Sequence, residues 1–370
     1  MALASSSQHS SQHSSQLNSS AGEVSAVEMN KVEVSFNETN VLKNLSFTLL
    51  AGEILCLLGP SGCGKTTALK AIAGLVKPQQ GQIDLFGGSV FSANTIDVPP
   101  QQRSVGFIFQ DYALFPHMTI GQNIAYGLPD LNKEEKQQRI EESLQLVELT
   151  DMQQRYPHEL SGGQQQRIAV ARALAPKPQL LLMDEPFSNV DGQVKRRMMA
   201  DLRKLLKEHN ISCIFVTHAK EEAFAFADKT AVMVAGDIAQ LDKPAIVYNQ
   251  PKNCAVAEFM ESGNLTSLRH SQKILDRIDR QWHRDVENSG YWLFKPQHVS
   301  LKRSLQNTGV TLIDITYIGR GYQYELSIQL DKHNSENTII WKAENEQPLD
   351  ISIGDNLAIE YVASPHWLQS

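Results

Sequence analysis

The run Gly59-Pro60-Ser61-Gly62-Cys63-Gly64-Lys65-Thr66, continued by Thr67, restricts this chain more than any other stretch of it. Its glycines let backbone N–H groups converge where side chains would otherwise collide, and such a nest holds anions. The wholly apolar Ile54–Leu58 comes directly before it, as expected of a strand buried on both faces of a parallel sheet. Lys65–Ala73 reads as a helix, stopped by Gly74 and Pro78. Its partly positive N-terminus would face the same bound charge. Strand, loop and helix in that order are the context that a phosphate-binding P-loop requires. The expected ligand is ATP, with Lys65 reaching the β- and γ-phosphates and the Thr66 hydroxyl helping to hold Mg2+. A glycine turn with a chance lysine is the plain alternative, and the flanking elements speak against it.

Leu180–Met183 is a second short apolar strand, and it ends in Asp184-Glu185. Ligands gather at the carboxyl ends of strands in open α/β sheets. Asp184 is therefore expected to anchor Mg2+, and Glu185 is chemically suited to polarise an attacking water. Alone, the acid pair could merely cap the next element. A third device is Leu160-Ser161-Gly162-Gly163-Gln164, which runs through Gln165-Gln166-Arg167 into a helix. A serine and two glycines at a helix start offer free N–H groups and a hydroxyl to an anion. One ATP does not need two cradles from one chain, so this one is expected to serve the γ-phosphate held by another copy.

Together these motifs resemble the ATP-binding subunits of ABC transporters over about residues 27–250, LSGGQ being that family's signature. The resemblance implies an α/β fold with a RecA-like P-loop core, an antiparallel β-subdomain and a helical subdomain at about 111–160. It also implies roles for single residues. Phe36 would stack on adenine, with an apolar strand residue as its plain alternative. Gln110 would sense Mg2+ and the water while linking the core to the helical lobe. Asp191, in Ser188-Asn189-Val190-Asp191, would bridge the two sites of a dimer, and His218 would contact the γ-phosphate. Two positions depart from the family pattern: Ala219 stands where many relatives have Asp, and Val190 replaces a commoner leucine.

Half-buried strands are expected at Val27–Phe36 and Val41–Leu50, and buried ones at Val105–Phe109, Ile211–Thr217 and Thr230–Val234. The polar stretch from Ile120 to Leu149 is helix-periodic, as are Ile168–Leu174 and the amphipathic Val194–Glu208. Such alternation indicates an α/β sheet. From Tyr291 the pattern changes to five short strands, Tyr291–Lys295, Val310–Thr316, Tyr322–Leu330, Thr338–Trp341 and Asn356–Val362, which suggest a small β-barrel; the resemblance to importer ATPases implies an OB/TOBE-like one. The expected organisation is a disordered Ser/Gln-rich tail at 1–25, an ATPase domain at 26–261 and a regulatory β domain at 262–370.

No apolar run approaches the ~18 residues that cross a bilayer, so an integral membrane permease would have to be a separate chain. The expected partners are a second copy, that permease and, through the complex, a periplasmic substrate-binding protein. The chain would then lie peripherally on the cytoplasmic face of the inner membrane. A net charge of −7 and a pI near 5.9 argue against nucleic acid. Cys56, Cys63, Cys213 and Cys254 lack disulfide or zinc spacing and suit a reducing compartment. The N-terminus has neither the basic start nor the apolar stretch of a secretory signal, and His9 and His13 are not expected to bind metal.

Phe294-Lys295-Pro296-Gln297-His298-Val299 is similar to the Arg-Pro-Glu stretch of TOBE-type extensions on importer ATPases, with Lys and Gln substituted. That implies import of a small solute. Tyr156-Pro157-His158-Glu159 and Ala173-Leu174-Ala175-Pro176 resemble ferric-iron uptake ATPases. Val98-Pro99-Pro100-Gln101-Gln102-Arg103 and Ala113-Leu114-Phe115-Pro116-His117 are shared with sulfate, polyamine and sugar importers as well. Iron is the expected cargo, with polyamine, thiamine, sulfate or sugar as alternatives, and no residue here is expected to coordinate it. A soluble ABC ATPase of DNA repair or the ribosome is the rival class. The stretch from Thr66 to Leu160 is too short for the coiled coil of the first, and a single set of motifs does not fit the fused cassettes of the second. A P-loop kinase would not need the LSGGQ helix.

Overall fold

The computed structural model describes residues 24–188, 192–267, 270, 274, 290–331 and 334–368. Residues 1–23 of the expected tail, and Asn189, Val190 and Asp191, lie outside them. The core is a six-stranded sheet in the order β11 (Asp237–Asp242), β10 (Lys229–Val234), β3 (Ile54–Leu58), β9 (Ser212–Thr217), β8 (Leu180–Asp184) and β7 (Val105–Ile108). Every neighbouring pair is parallel except β10 with β11. β3 is buried along its whole length because alternate residues enter different cores. Ile54, Cys56 and Leu58 face the helices, while Leu55 and Leu57 face a second sheet.

That second sheet is antiparallel, in the order β2 (Thr39–Leu50), β1 (Ser25–Phe36), β4 (Gln80–Leu85), β5 (Gly88–Ser92) and β6 (Ile96–Asp97). Val27, Met29, Val32 and Val34 of β1 are buried, whereas Glu28, Asn30 and Lys31 are exposed. Helix α1 (Lys65–Ala73) packs between the two sheets through Ala68, Leu69 and Ile72. Its last carbonyls need partners, and a buried arginine supplies them. Arg103 Nη1 donates to Ala71 O at 2.8 Å and Ile72 O at 2.9 Å, and Nε donates to Val98 O.

Three helices form a lobe beside the sheet: α2 (Ile120–Ala125), α3 (Lys133–Leu146) and α4 (Gly162–Leu174). Thr119, Asn132 and Ser161 cap them, each in a reciprocal capping box. Ile120, Ile124, Ile140, Leu144 and Ile168 share one apolar cluster with the helix-facing side of the core sheet. Helices α5 (Gly192–Glu208) and α6 (Lys220–Phe226) flank β9 in sequence, and α7 (Pro244–Asn249) and α8 (Cys254–Phe259) lead out of the core.

The C-terminal strands form three short sheets. One joins β12 (Asn264–Ser267), β13 (Tyr291–Phe294) and β19 (His366–Leu368), and another pairs β14 (Val299–Arg303) with β18 (Leu357–Tyr361). The third holds β15 (Val310–Tyr317), β16 (Tyr322–Asp331) and β17 (Asn334–Asn345). They enclose one core, to which each contributes: Phe294, Leu301, Leu312, Leu326, Trp341 and Ile359. Phe294 packs 4.5 Å from the Trp341 ring and 5.1 Å from Tyr361, centroid to centroid.

Lys295, just past β13, ties this β domain to α7. Its Nζ donates to Tyr248 O at 2.8 Å and lies 4.5 Å from the centre of the Tyr248 ring. Only 8% of the residue is exposed, and burial lowers its pKa from 10.5 to about 8. The folded state thus resists charging this amine, whereas the unfolded chain keeps it protonated up to about pH 10.5. Stability from this group is therefore lowest below pH 8 and rises between 8 and 10.5. Lys295→Met removes that rise. Denaturant unfolding of both proteins should show the variant gaining on the parent at pH 7 and losing the advantage by about pH 10.

Candidate active site

The site sits where four parallel strands of the core sheet end together. β3 delivers the P-loop, β7 delivers Gln110, β8 delivers Asp184 and Glu185, and β9 delivers His218. Two loop glycines are required by packing. A Cβ on Gly59 would stand 2.3 Å from Met233 O, and one on Gly64, where φ is +103°, would stand 2.9 Å from Val41 O. Gly62, at φ +79°, has open space around its Cβ position. With Pro60 and Ser61 it forms the exposed crest of the loop, while Cys63 behind it is buried. Thr67 is half-buried in the first turn of α1.

Lys65 is 7% exposed and folds back over this crest, its Nζ donating to Gly59 O at 2.8 Å and Pro60 O at 2.9 Å. It forms no ion pair among the described residues. A buried ammonium held by two carbonyls and, at 3.9 Å, the Cys63 sulfur suits an anionic ligand that supplies the missing charge.

Thr66 Oγ1 donates to Asp184 Oδ1 at 2.8 Å, which fastens the start of α1 to the end of β8. Burial raises the pKa of Asp184, against the Thr66 hydrogen bond and the Lys70 charge, which lower it. A hydroxyl and a carboxylate side by side are hard oxygen donors of the kind Mg2+ takes, and a bound cation would reverse the effect of burial on Asp184.

Glu185 follows in a left-handed backbone conformation, φ +45°, which a glutamate rarely adopts. Its N–H donates to Val216 O at 3.1 Å, so β9 holds the bend. Its carboxylate then meets two partners. Gln110 Nε2 donates to Oε2 at 3.2 Å, and His218 Nδ1 lies 3.2 Å from Oε1, a hydrogen bond in the Nδ1–H tautomer. The three side chains converge from three strand ends, with 62% of the His218 side chain and 23% of the Glu185 side chain exposed.

The loop after Gln110 is anchored by residues that the sequence reading passed over. Arg172 of α4 donates from Nη1 to Ala113 O at 2.6 Å and from Nη2 to Tyr112 O at 2.8 Å. Asn123, fully buried, donates to Phe115 O, Met118 O and Thr119 O and accepts from Phe115 N–H. An arginine inside the otherwise apolar Ile168–Leu174 is the signal that could have found the first.

Ser161 caps α4. Its N–H donates to Gln164 Oε1 at 3.0 Å, and its Oγ accepts from Gln164 N–H at 3.4 Å. Ser161 and Gly162 are exposed, and a Cβ on Gly162 would meet nothing within 4 Å. Among the described residues no hydrogen bond joins Ser161, Gly162, Gly163 or Gln164 to the P-loop. Phe36, at the end of β1, is 49% exposed and belongs to no apolar cluster, so its ring is free for a ligand. Asp191 is outside the described residues.

The ABC transporter family model matches residues 42–188. The Fe(3+) ions import ATP-binding protein FbpC of Escherichia coli O157:H7 is 39% identical over 341 residues, covering 90% of this chain and 94% of that protein. The spermidine/putrescine import ATP-binding protein PotA of Vibrio cholerae is 36% identical over 360 residues, covering 91% and 93%. Among solved structures, the ATP-binding cassette MJ0796, a dimeric post-hydrolysis state bound to ADP and Pi, superposes with a TM-score of 0.52. It is 31% identical and covers 59% of this chain and 98% of that one. With P-loop, acid pair and LSGGQ helix all in place and relatives matched along nine-tenths of its length, the chain belongs to the ATP-binding subunits of ABC transporters.

Proposed function

We propose that two copies of this chain hydrolyse ATP to energise an inner-membrane importer whose cargo is ferric iron. The observation that carries the chemical half is the meeting of Gln110 and His218 on the Glu185 carboxylate, next to the P-loop. The cargo rests on the relative from Escherichia coli, an Fe(3+) ions import protein by its name. Polyamine import is the second reading, favoured by the likeness to the spermidine/putrescine protein at similar coverage.

In this reading Lys65 and the amides of residues 59–67 take the β- and γ-phosphates, and Phe36 stacks on the adenine. Mg2+ would be held by Thr66, Asp184 and Gln110, where it offsets phosphate charge. Glu185 accepts a proton from the attacking water, and its fixed carboxylate needs little reorganisation. His218 and Gln110 keep it aimed. The exposed Ser161–Gln164 tip of one copy closes over the γ-phosphate held by the other, with Asp191 bridging the two sites. After cleavage that contact set is divided and the pair reopens.

Residues 26–261 act as the ATPase domain and 262–370 as the regulatory one. The helical lobe carries the movement to the permease, beyond which a periplasmic substrate-binding protein delivers cargo. In this reading the chain sits peripherally on the cytoplasmic face of the inner membrane; no helix among the described residues is long and apolar enough to cross a membrane.

Three measurements test this. Glu185→Gln should bind ATP yet turn it over at least ~100-fold more slowly, and near-normal hydrolysis would remove Glu185 from its role. Ser161→Arg should bind ATP as a monomer but lose ATP-induced dimerisation by light scattering; a persisting dimer would end the shared-site account. In a strain lacking the gene and other iron importers, uptake of labelled ferric iron should fall. Normal iron uptake with impaired spermidine uptake would transfer the assignment to the second reading.

A further inference from the structure

The His218 side chain has one polar partner among the described residues, Glu185, and 62% of it is exposed. Its position must therefore come from the backbone on either side of it. On one side Thr217 ends β9, and on the other Ala219 begins the turn into α6. A single hydroxyl joins these two neighbours. Thr217 Oγ1 accepts the Ala219 N–H at 3.0 Å and donates to Glu222 Oε2 at 2.6 Å. Ala219 has no polar side chain to assist.

Glu222 is 4% exposed, and both of its oxygens are engaged. The second, Oε1, accepts from Lys195 Nζ at 2.9 Å. Lys195 stands in the first turn of α5, which begins directly after Asp191, the residue proposed above to bridge the two sites of the dimer. A buried ion pair is weak evidence for stability, because desolvation offsets much of its attraction. Its geometry is what it fixes. Here the carboxylate ties the entry of α5 to the residue before the histidine and, through the same hydroxyl, to the residue after it.

We infer that Glu222 is a positioning residue for His218, and that Lys195 makes the histidine's position follow the start of α5. This rests on the role proposed for His218. Movement of the entry of α5 on pairing with a second copy would then reach the γ-phosphate contact through Lys195, Glu222 and Thr217. An isolated copy and a paired one would hold His218 differently without any change in the P-loop.

The test uses the full chain and follows ATP turnover, single-turnover cleavage and ATP binding. Glu222→Gln and Lys195→Met should each lower kcat about tenfold with KM for ATP within about twofold, and the double variant should lose little more than either alone. Lys195→Arg should recover most of the loss. With His218→Ala as background, Glu222→Gln should change single-turnover cleavage by less than about twofold, since its route of action is gone. An undiminished effect in that background, or multiplying losses in the double variant, would overturn the inference. So would a raised KM with kcat intact, as would a lowered melting temperature with unchanged kcat. Should Glu222→Gln fail to fold, Thr217→Val keeps the shape, removes only the hydroxyl, and carries the same expectations. A parent protein that does not turn over ATP, or His218→Ala turning over normally, would instead overturn the reading of the site itself and take this inference with it.

Discussion

Glu185 occupies a left-handed backbone conformation, and holding a non-glycine residue there costs about 1–3 kcal/mol. The surroundings have to over-determine it. They do so from behind, where β8 is buried residue by residue between β7 and β9, and from the side, where Val216 O accepts the Glu185 N–H. The bend turns the carboxylate toward Gln110 and His218 instead of continuing the strand. An unstrained residue at this position would extend along β8 and lose that meeting. The rigidity of the core sheet is thus what keeps the carboxylate aimed, and the apolar identity of Leu180–Met183 is what makes the sheet rigid.

What could be read in advance followed from local physics. Ile54–Leu58 and Lys65–Ala73 stand out because an unbroken apolar run, a glycine loop and a helix each leave their own pattern, and the structure has those two elements at those bounds. Polar strands left no such trace. β4 alternates only over its last four residues, where Ile83 and Leu85 are buried, and in β11 the buried residue is Gln240, so neither carries an apolar alternation along its whole length. Helix α4 begins at Gly162, six residues before the apolar Ile168, because the Ser161 capping box offsets the poor helix propensity of two glycines. In the C-terminal region the β character was legible from strand length, whereas the division into three sheets around one core depends on pairings such as β13 with β19, far apart in sequence.

The site divides in the same way. P-loop, acid pair and LSGGQ are contiguous, so their chemistry can be argued from spacing. Arg172 and Glu222 act through partners 59 and 27 residues away, at Ala113 and Lys195, and no spacing rule reaches them. Arg172 also explains how the lobe is attached. The exposed bridges of Arg167 to Glu148 and Asp201, at 3.5 and 3.4 Å, contribute little in solvent. The half-buried guanidinium of Arg172, its pKa lowered by burial and supported by the nearby charge of Asp111, holds two carbonyls of the loop, those of Tyr112 and Ala113. The helix bearing the LSGGQ tip and the loop bearing Gln110 are therefore one mechanical unit. A displacement of the Gln110 loop would therefore carry α4 with it.

α6 plays the corresponding part on the other side. Its inner face carries Glu222, and its outer face carries Lys220, bridged to Glu261 at 3.0 Å, and Phe224, edge-on to Tyr248 at 5.8 Å. Tyr248 in turn receives Lys295 of the β domain. Beside these points the two domains share one small apolar cluster, in which Ala257 of α8 is buried with Leu293 and Leu368. A cavity of about 1140 Å³ separates α6 and α8 from β16 and β17, with Arg320, Tyr322 and Glu344 on its far wall. A close-packed interface transmits strain and resists displacement, whereas one resting on isolated contacts gives way at modest cost. The β domain meets the core at the α8 cluster and along the line Lys295, Tyr248 and Phe224, so a displacement of it would strain α8, α7 and α6, the last being the helix proposed to position His218, before the sheet that fixes Glu185.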